Sequence, residues 1–196
     1  MLTKLVHRLV ALPGVYDAVQ NLAGAQKSIR RMQAHFNDIG EGSILDVGAG
    51  TGNLAAAIPA SAQYIWLDND PLKLRGFQAK HPRGLIILGD ACRIPLRDKS
   101  VDVALCIAMA HHLTEAGVSA LIGELARVCR NKLIFLDPVE RKSSLVSRLL
   151  WRYDRGSYPR PIESLKQLIQ KSFEIQHYES YAIWHQYVLC TAHPKR

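Results

Sequence analysis

The stretch "ILDVGAGTGNLA", from Ile44 to Ala55, constrains the fold of this 196-residue chain more than any other. An apolar run that includes Asp46 reads as a buried strand, and Gly48, Gly50 and Gly52 follow it at alternate positions. Such a turn lets main chain adopt dihedrals, and approach a ligand to distances, that a Cβ would forbid. From Ser43 onward short β-rich runs alternate with helix-like stretches, the pattern of a parallel sheet covered by helices on both faces.

The strands are "SILDV" (43 to 47), "QYIWLD" (63 to 68), "LIIL" (85 to 88), "VDVALCIA" (101 to 108) and "KLIFLD" (132 to 137). "PLKLRGFQAK" is a helix with Pro71 in its first turn and Asp70 as cap. Leu113 to Arg130 carries Val118, Leu121, Ile122, Leu125 and Val128 at helical spacing behind Thr114 as cap. "PIESLKQLIQ" (161 to 170) is a further helix, and "FEIQHYES" and "WHQYVLCTA" alternate as an adjoining, antiparallel pair of strands. The first 40 residues read as a short helix and a longer one, "VYDAVQNLAGAQKSIRRMQAHF". The expectation is one domain in three parts: helices over 1–40, a ligand-binding core over 41–137, and a lid, last helix and hairpin over 138–196.

Composition sets bounds on partners. No apolar run approaches the ~18 residues a membrane span needs, and Lys4, His7 and Arg8 interrupt the start where a secretory signal stays apolar. The expected setting is therefore the cytoplasm. Cys92, Cys106, Cys129 and Cys190 lack metal-ligand spacing, so neither a zinc site nor a disulfide is expected. The net charge of +8 sits outside the middle of the chain, since residues 44–137 hold ten bases against nine acids. That excess is read either as a solvated face or as affinity for nucleic acid or a membrane.

The spacing of the turn separates ligands. Gly48, Gly50 and Gly52 make G-x-G-x-G, not the G-x-G-x-x-G of a pyrophosphate cradle, and no G-K-[ST] follows. Asp68 ends the second strand 22 residues after Asp46, where a carboxylate can accept from both hydroxyls of a ribose. The plain alternative is a tight structural turn, which would require neither three glycines nor Asp46.

"ILDVGAGTGNLA", "IWLDNDP", "GDACRIPLRDKSVDVAL" and "AMAHHL" together resemble the successive motifs of class I S-adenosylmethionine-dependent methyltransferases, most closely the small-molecule members of the ubiquinone and menaquinone biosynthesis type. The resemblance covers about residues 40 to 140. It implies an α/β, Rossmann-like three-layer sandwich with a seven-stranded, mostly parallel sheet of order 3-2-1-4-5-7-6 that ends in an antiparallel hairpin. It also implies S-adenosylmethionine as cofactor, S-adenosylhomocysteine (SAH) as product, and no metal. Carried over by residue, Asp46, Gly48, Ala49, Gly50 and Gly52 would seat the methionine part, Asp68 with Asn69 the ribose, and Asp90 with Ala91 the adenine. Ala108 would meet the amino acid portion. The plain reading of Asp90 is a turn-forming Asp after Gly89. The turn's freedom from lysine and arginine suits a ligand with no phosphate.

Beyond the fourth strand, His111 and His112 are the candidates for a catalytic base facing the acceptor, the alternative being a structural pair. His185, Tyr153 and Tyr158 are further candidates. The strand reads "IAMAHH" where methylases of exocyclic base amines carry an Asn/Asp-Pro-Pro-aromatic tetrad, and no Pro-Cys nucleophile appears, which argues against nucleic acid. In "SSLVSRLLWRYDRGSYPRP" (143 to 161), where the family builds a lid, Arg148, Arg152 and Arg155 would form a basic stripe beside Leu145, Leu149, Leu150 and Trp151. Such a stripe suits an anionic acceptor or a peripheral lipid contact. The expected function is methyl transfer to a small acceptor, aromatic, quinone-like or lipid-like, by a monomer or homodimer. The rivals are an RNA methyltransferase and a non-catalytic cofactor-binding scaffold.

Overall fold

The computed structural model describes residues 25–140 and 158–196 apart from Asn37, Asp38, Thr51, Asn53, Arg83 and Trp184, and in addition Ser147 and Trp151. The helices expected over residues 1–24, the stripe of Arg148, Arg152 and Arg155 with Leu145, Leu149 and Leu150, and Tyr153 lie outside the described residues.

Strands β1 (Ser43–Val47), β2 (Gln63–Asp68) and β3 (Leu85–Leu88) form at the residues the alternation predicts. Strand β4 (Val101–Ile107) stops one residue short of the apolar run, because Ala108 turns into left-handed backbone at φ 51°. Strand β5 (Cys129–Val139) is longer at both ends than "KLIFLD". It starts at the residue that closes the preceding helix, and antiparallel pairing with β7 carries its far end on to Val139. Strands β6 (Phe173–Ala182) and β7 (Gln186–Pro194) form the expected hairpin. Among the described residues the sheet has seven strands in the order β3-β2-β1-β4-β5-β7-β6, with β3, β2, β1, β4 and β5 parallel.

Four described helices cover it: α1 (Ala25–Gln33), α2 (Pro71–Lys80), α3 (Glu115–Val128) and α4 (Ile162–Ser172). Asp70 caps α2 by accepting from the Leu72 amide at 2.9 Å with Pro71 at its first position, and Thr114 caps α3 by accepting from Gly117 at 3.2 Å. None of the described helices is long and apolar enough to cross a membrane.

Period-two alternation divides the core between the two faces. Leu45, Val47, Ala104, Cys106, Leu133 and Phe135 face α3 and α4, whose Val118, Leu121, Leu125 and Leu165 close over them. Ile44, Val103, Leu105, Ile134 and Leu136 face the other way, onto Met32 of α1 and Phe36 just after it. Each buried Val, Leu, Ile, Met or Phe among them stabilises the fold by about 1.5–3 kcal/mol, and Phe135→Ala, which opens a cavity at a fully buried site, costs about 4 kcal/mol. Because the first five strands run parallel, Gly48, Asp68, Asp90 and Ala108 all emerge at one end of the sheet, where ligands of open α/β sheets bind.

Candidate functional site

All three glycines of the turn have positive φ, at 72°, 63° and 77° for Gly48, Gly50 and Gly52, so these three positions disfavour ordinary side chains. Their surroundings differ. A Cβ on Gly48 would lie 2.4 Å from Cγ of Met109, and one on Gly52 would lie 2.5 Å from the Phe77 ring, whereas one on Gly50 meets nothing within 4 Å. Gly48 and Gly52 are thus packed from within, while Gly50 borders open space. The Gly48 amide donates to the Leu67 carbonyl at 2.8 Å, which ties the turn to β2. Ala49 packs on the small cluster of Trp66, Leu74 and Phe77.

Asp68 is 3% exposed, and both its oxygens already accept main-chain hydrogens, Oδ2 from Gly50 at 3.2 Å and Oδ1 from Asp70 at 2.9 Å. The carboxylate is therefore held in one rotamer, and each oxygen keeps a further lone pair for a hydroxyl. Lys73 stands 3.8 Å from Oδ2. Asn69 is exposed beside it.

Asp46, at 1% exposure, shares a face with its neighbour in register Trp66 and accepts from the Tyr64 hydroxyl at 2.5 Å through Oδ2. Its Oδ1 is buried with no hydrogen-bond partner. Burial pushes the carboxyl up to about 7, opposed by the Tyr64 hydrogen bond and reinforced by the charge of Asp68. A buried, unsatisfied acceptor is rare in a native fold and calls for a donor.

Asp90 is exposed and accepts from the Cys92 amide at 2.8 Å, so the turn-forming role foreseen for it is present. Ala91 is half-buried against the core. Ala108 holds its left-handed conformation with its amide donating to the Leu136 carbonyl at 2.7 Å, and an alanine so placed carries strain of the kind concentrated at sites of function.

The two histidines are divided by the structure. They lie on a short 3-10 turn, Ala110–His112. His111 points inward, 6% exposed, with Nδ1 2.9 Å from Oδ1 of Asp137, itself 2% exposed on β5. His112 is exposed, its ring 4.0 Å from that of His111. Trp151 stands edge-on to His111 at 5.7 Å and 4.8 Å from the ring of His185, whose Nδ1 is 3.0 Å from the Ser147 hydroxyl. Arg160, 7% exposed, donates to the carbonyls of Ala110, Leu113 and Tyr158 and to Glu115. The Tyr158 amide donates to the His111 carbonyl at 2.6 Å.

Sequence reasoning missed Tyr64, Met109, Asp137 and Arg160. Asp137 did carry a signal, since "KLIFLD" ends on an aspartate as "YIWLD" does. Tyr64 could be found from register, because it lies opposite Ile44 and so on the face of Asp46. Arg160 looks in the sequence like any other member of a basic segment.

Residues 45–136 match the family described as "Methyltransferase domain". An uncharacterized methyltransferase of Geobacillus sp. (strain WCH70) is 24% identical over 163 residues, covering 78% of this chain and 70% of that protein. An uncharacterized methyltransferase of Mycobacterium tuberculosis (strain H37Rv) is 38% identical over 88 residues, 44% of this chain but only 35% of the relative. The chain therefore spans about a third of the mycobacterial protein's length. Among solved structures, magnesium protoporphyrin IX methyltransferase from Synechocystis PCC 6803 with bound SAH has the same fold, with a TM-score of 0.74 at 16% identity, covering 98% of this chain and all of that one.

Proposed function

We propose, from the premise that residues 45–136 form a class I, S-adenosylmethionine-dependent methyltransferase domain, that the chain moves a methyl group to a small organic acceptor, aromatic, quinone-like or lipid-like. The observation that carries this reading is the unsatisfied Oδ1 of Asp46 beside a glycine turn with no lysine or arginine in it. The residues fit the cofactor. Its ammonium would meet the orphaned Oδ1, its methionine portion would lie along Gly48 to Gly52 where Gly50 leaves room, and its ribose would take the second lone pairs of Asp68. Asn69 would border the ribose, Asp90 and the main chain of Ala91 the adenine, and Ala108 the amino acid end.

When bound, S-adenosylmethionine supplies an electrophilic methyl on a sulfonium, whose C–S electron pair returns to sulfur as the new bond forms. The chain's part is placement and exclusion of water. Met109 covers Gly48, so the tip of β4 closes against the cofactor turn, and His111 follows two residues later. The acceptor belongs between that turn and the β5 tip.

The test is transfer of labelled methyl from S-adenosylmethionine to a broad panel of small acceptors. Transfer to at least one, lost in Asp68→Ala, is the expected result. Binding of SAH with no transfer to any acceptor would leave a scaffold in place of an enzyme.

A further inference from the structure

A buried carboxylate has two oxygens and a soft last torsion, so a site that uses one oxygen needs something to hold the other. At Asp46 that hold comes from the neighbouring strand. The Tyr64 hydroxyl donates to Oδ2 at 2.5 Å, and Oδ1 is left buried with no hydrogen-bond partner. Trp66, the register partner of Asp46, does not share the task, since its own Nε1 is also buried without a partner. The phenol is placed by its ring, which packs against the clusters around Ile44 and around Trp66 and stands edge-on to Phe77 at 6.1 Å. It also stays a donor, because burial first, and then the charge of Asp46, push its hydroxyl well above its ordinary value.

We propose that Tyr64 is a positioning residue for the cofactor: by engaging Oδ2 it fixes Oδ1 of Asp46 as the atom that meets the ammonium, and so sets the affinity for ligands with an α-amino group without acting on their nucleoside part. The inference rests on the methyltransferase reading above. Two effects run the same way. Held by a donor, the carboxylate keeps one orientation, and the ammonium meets a preformed acceptor with no torsion left to freeze. The same hydrogen bond opposes the burial that favours the neutral acid, and only the ionised form makes a charge-assisted bond to an ammonium. The ribose end is independent of the phenol, since Asp68 is held by the Gly50 and Asp70 amides.

The charged and titratable groups around Asp46 leave this role to Tyr64. From β2, Asp68 adds a like charge, and Lys73 of α2 stands 3.8 Å from its Oδ2. From β4, Leu105 is the register partner of Asp46, and the adjoining Cys106 thiol is pushed well up by burial and then by the charges of Asp137 and Asp46, so it stays neutral. The turn from Gly48 to Gly52 has no ionisable side chain. Without the phenol hydroxyl, Asp46 ionises at higher pH, so the affinity for an ammonium, which rises with pH until Asp46 is ionised, levels off later.

The test is calorimetric titration, from pH 6 to pH 9, of SAH and of 5′-methylthioadenosine, which keeps the ribose and adenine but lacks the amino acid portion. The proteins are the wild type, Tyr64→Phe, Asp46→Asn and the double variant. Phenylalanine keeps the ring against Phe77, and undiminished binding of methylthioadenosine shows that the variant's site is folded. Tyr64→Phe should weaken SAH about tenfold or more at pH 7, leave methylthioadenosine unchanged, and raise the pH at which SAH affinity levels off by about one unit. Added to Asp46→Asn, it should weaken SAH by less than about twofold, because its target is gone. Equal losses for the two ligands, an unmoved pH profile, or the full loss of SAH affinity when Asp46 is already asparagine would overturn the proposal and leave Tyr64 a packing residue. Failure of the wild type to bind SAH at any pH would instead remove the methyltransferase reading itself, so the two failures are distinct.

Discussion

The tips of β1 and β2 and the tips of β4 and β5 lie side by side at one end of the sheet, yet they are built by different means. The first pair is made of main chain and strand-end carboxylates, with its parts close in sequence: Gly50 to Asp68 spans 18 residues, as does Tyr64 to Asp46. The second pair is assembled over distance, His111 with Asp137 across 26 residues and Arg160 with Ala110 across 50. Under the proposed function, the local device would hold the cofactor, whose shape does not change. The acceptor would be met by side chains from separate elements, which can be exchanged one at a time without disturbing the glycine turn.

The largest effect should come from breaking the long-range side. Arg160→Ala takes the guanidinium away from the carbonyls of Ala110, Leu113 and Tyr158, of which Ala110 keeps the Leu113 amide, and should cost about 4 kcal/mol, read by urea unfolding. Should the loss be under about 1 kcal/mol, other contacts hold the histidine turn and the contrast between the two sides weakens. On the local side, Gly48→Ala combines φ 72° with a collision at 2.4 Å from Met109, and about 3 kcal/mol of destabilisation is expected in the same assay. Next, Asp68→Ala should weaken SAH binding by about 2 kcal/mol, measured where the variant is fully folded because the Gly50 and Asp70 amides lose their acceptor; unchanged affinity would mean that the β2 tip is not the ribose site.

Asp46 sharpens the comparison through pH. Its folded value of about 7 lies above the ordinary 3.8, so between those limits the folded state holds more proton than the unfolded one. Its contribution to stability therefore falls as pH rises across that window and is flat above it. Asp46→Asn removes the cost of ionising a buried acid and should stabilise the unliganded protein at pH 7 by about 1–2 kcal/mol while weakening SAH binding. A variant that is less stable and binds equally well would contradict the role assigned to the orphaned oxygen. The smallest effect belongs to Gly50→Ala, where only the backbone at φ 63° resists, with about 1 kcal/mol expected in unfolding.

This division also explains what could be read from the chain. The strands, the two caps and the glycine turn follow from local pattern: alternating apolar runs, Asp70 before Pro71, and three glycines after a buried strand; the strand order came from the family resemblance. The ends of β4 and β5 did not, because the left-handed turn at Ala108 and the pairing of β5 with β7 depend on tertiary contacts. His111 and His112 look equivalent as neighbours in "AHHL", and only Asp137, arriving from another strand, separates a buried ring from an exposed one. Arg160 is indistinguishable by composition from the other arginines near it, since its burial is decided by where residues 158–160 dock.

The most direct measurement is a calorimetric titration of SAH into the wild-type protein at pH 6 and pH 8. One site per chain is predicted, tighter at pH 8 because the ionised Asp46 receives the ammonium, with proton release at the lower pH. No heat with SAH at either pH, alongside saturable heat with a nicotinamide dinucleotide, would contradict the account.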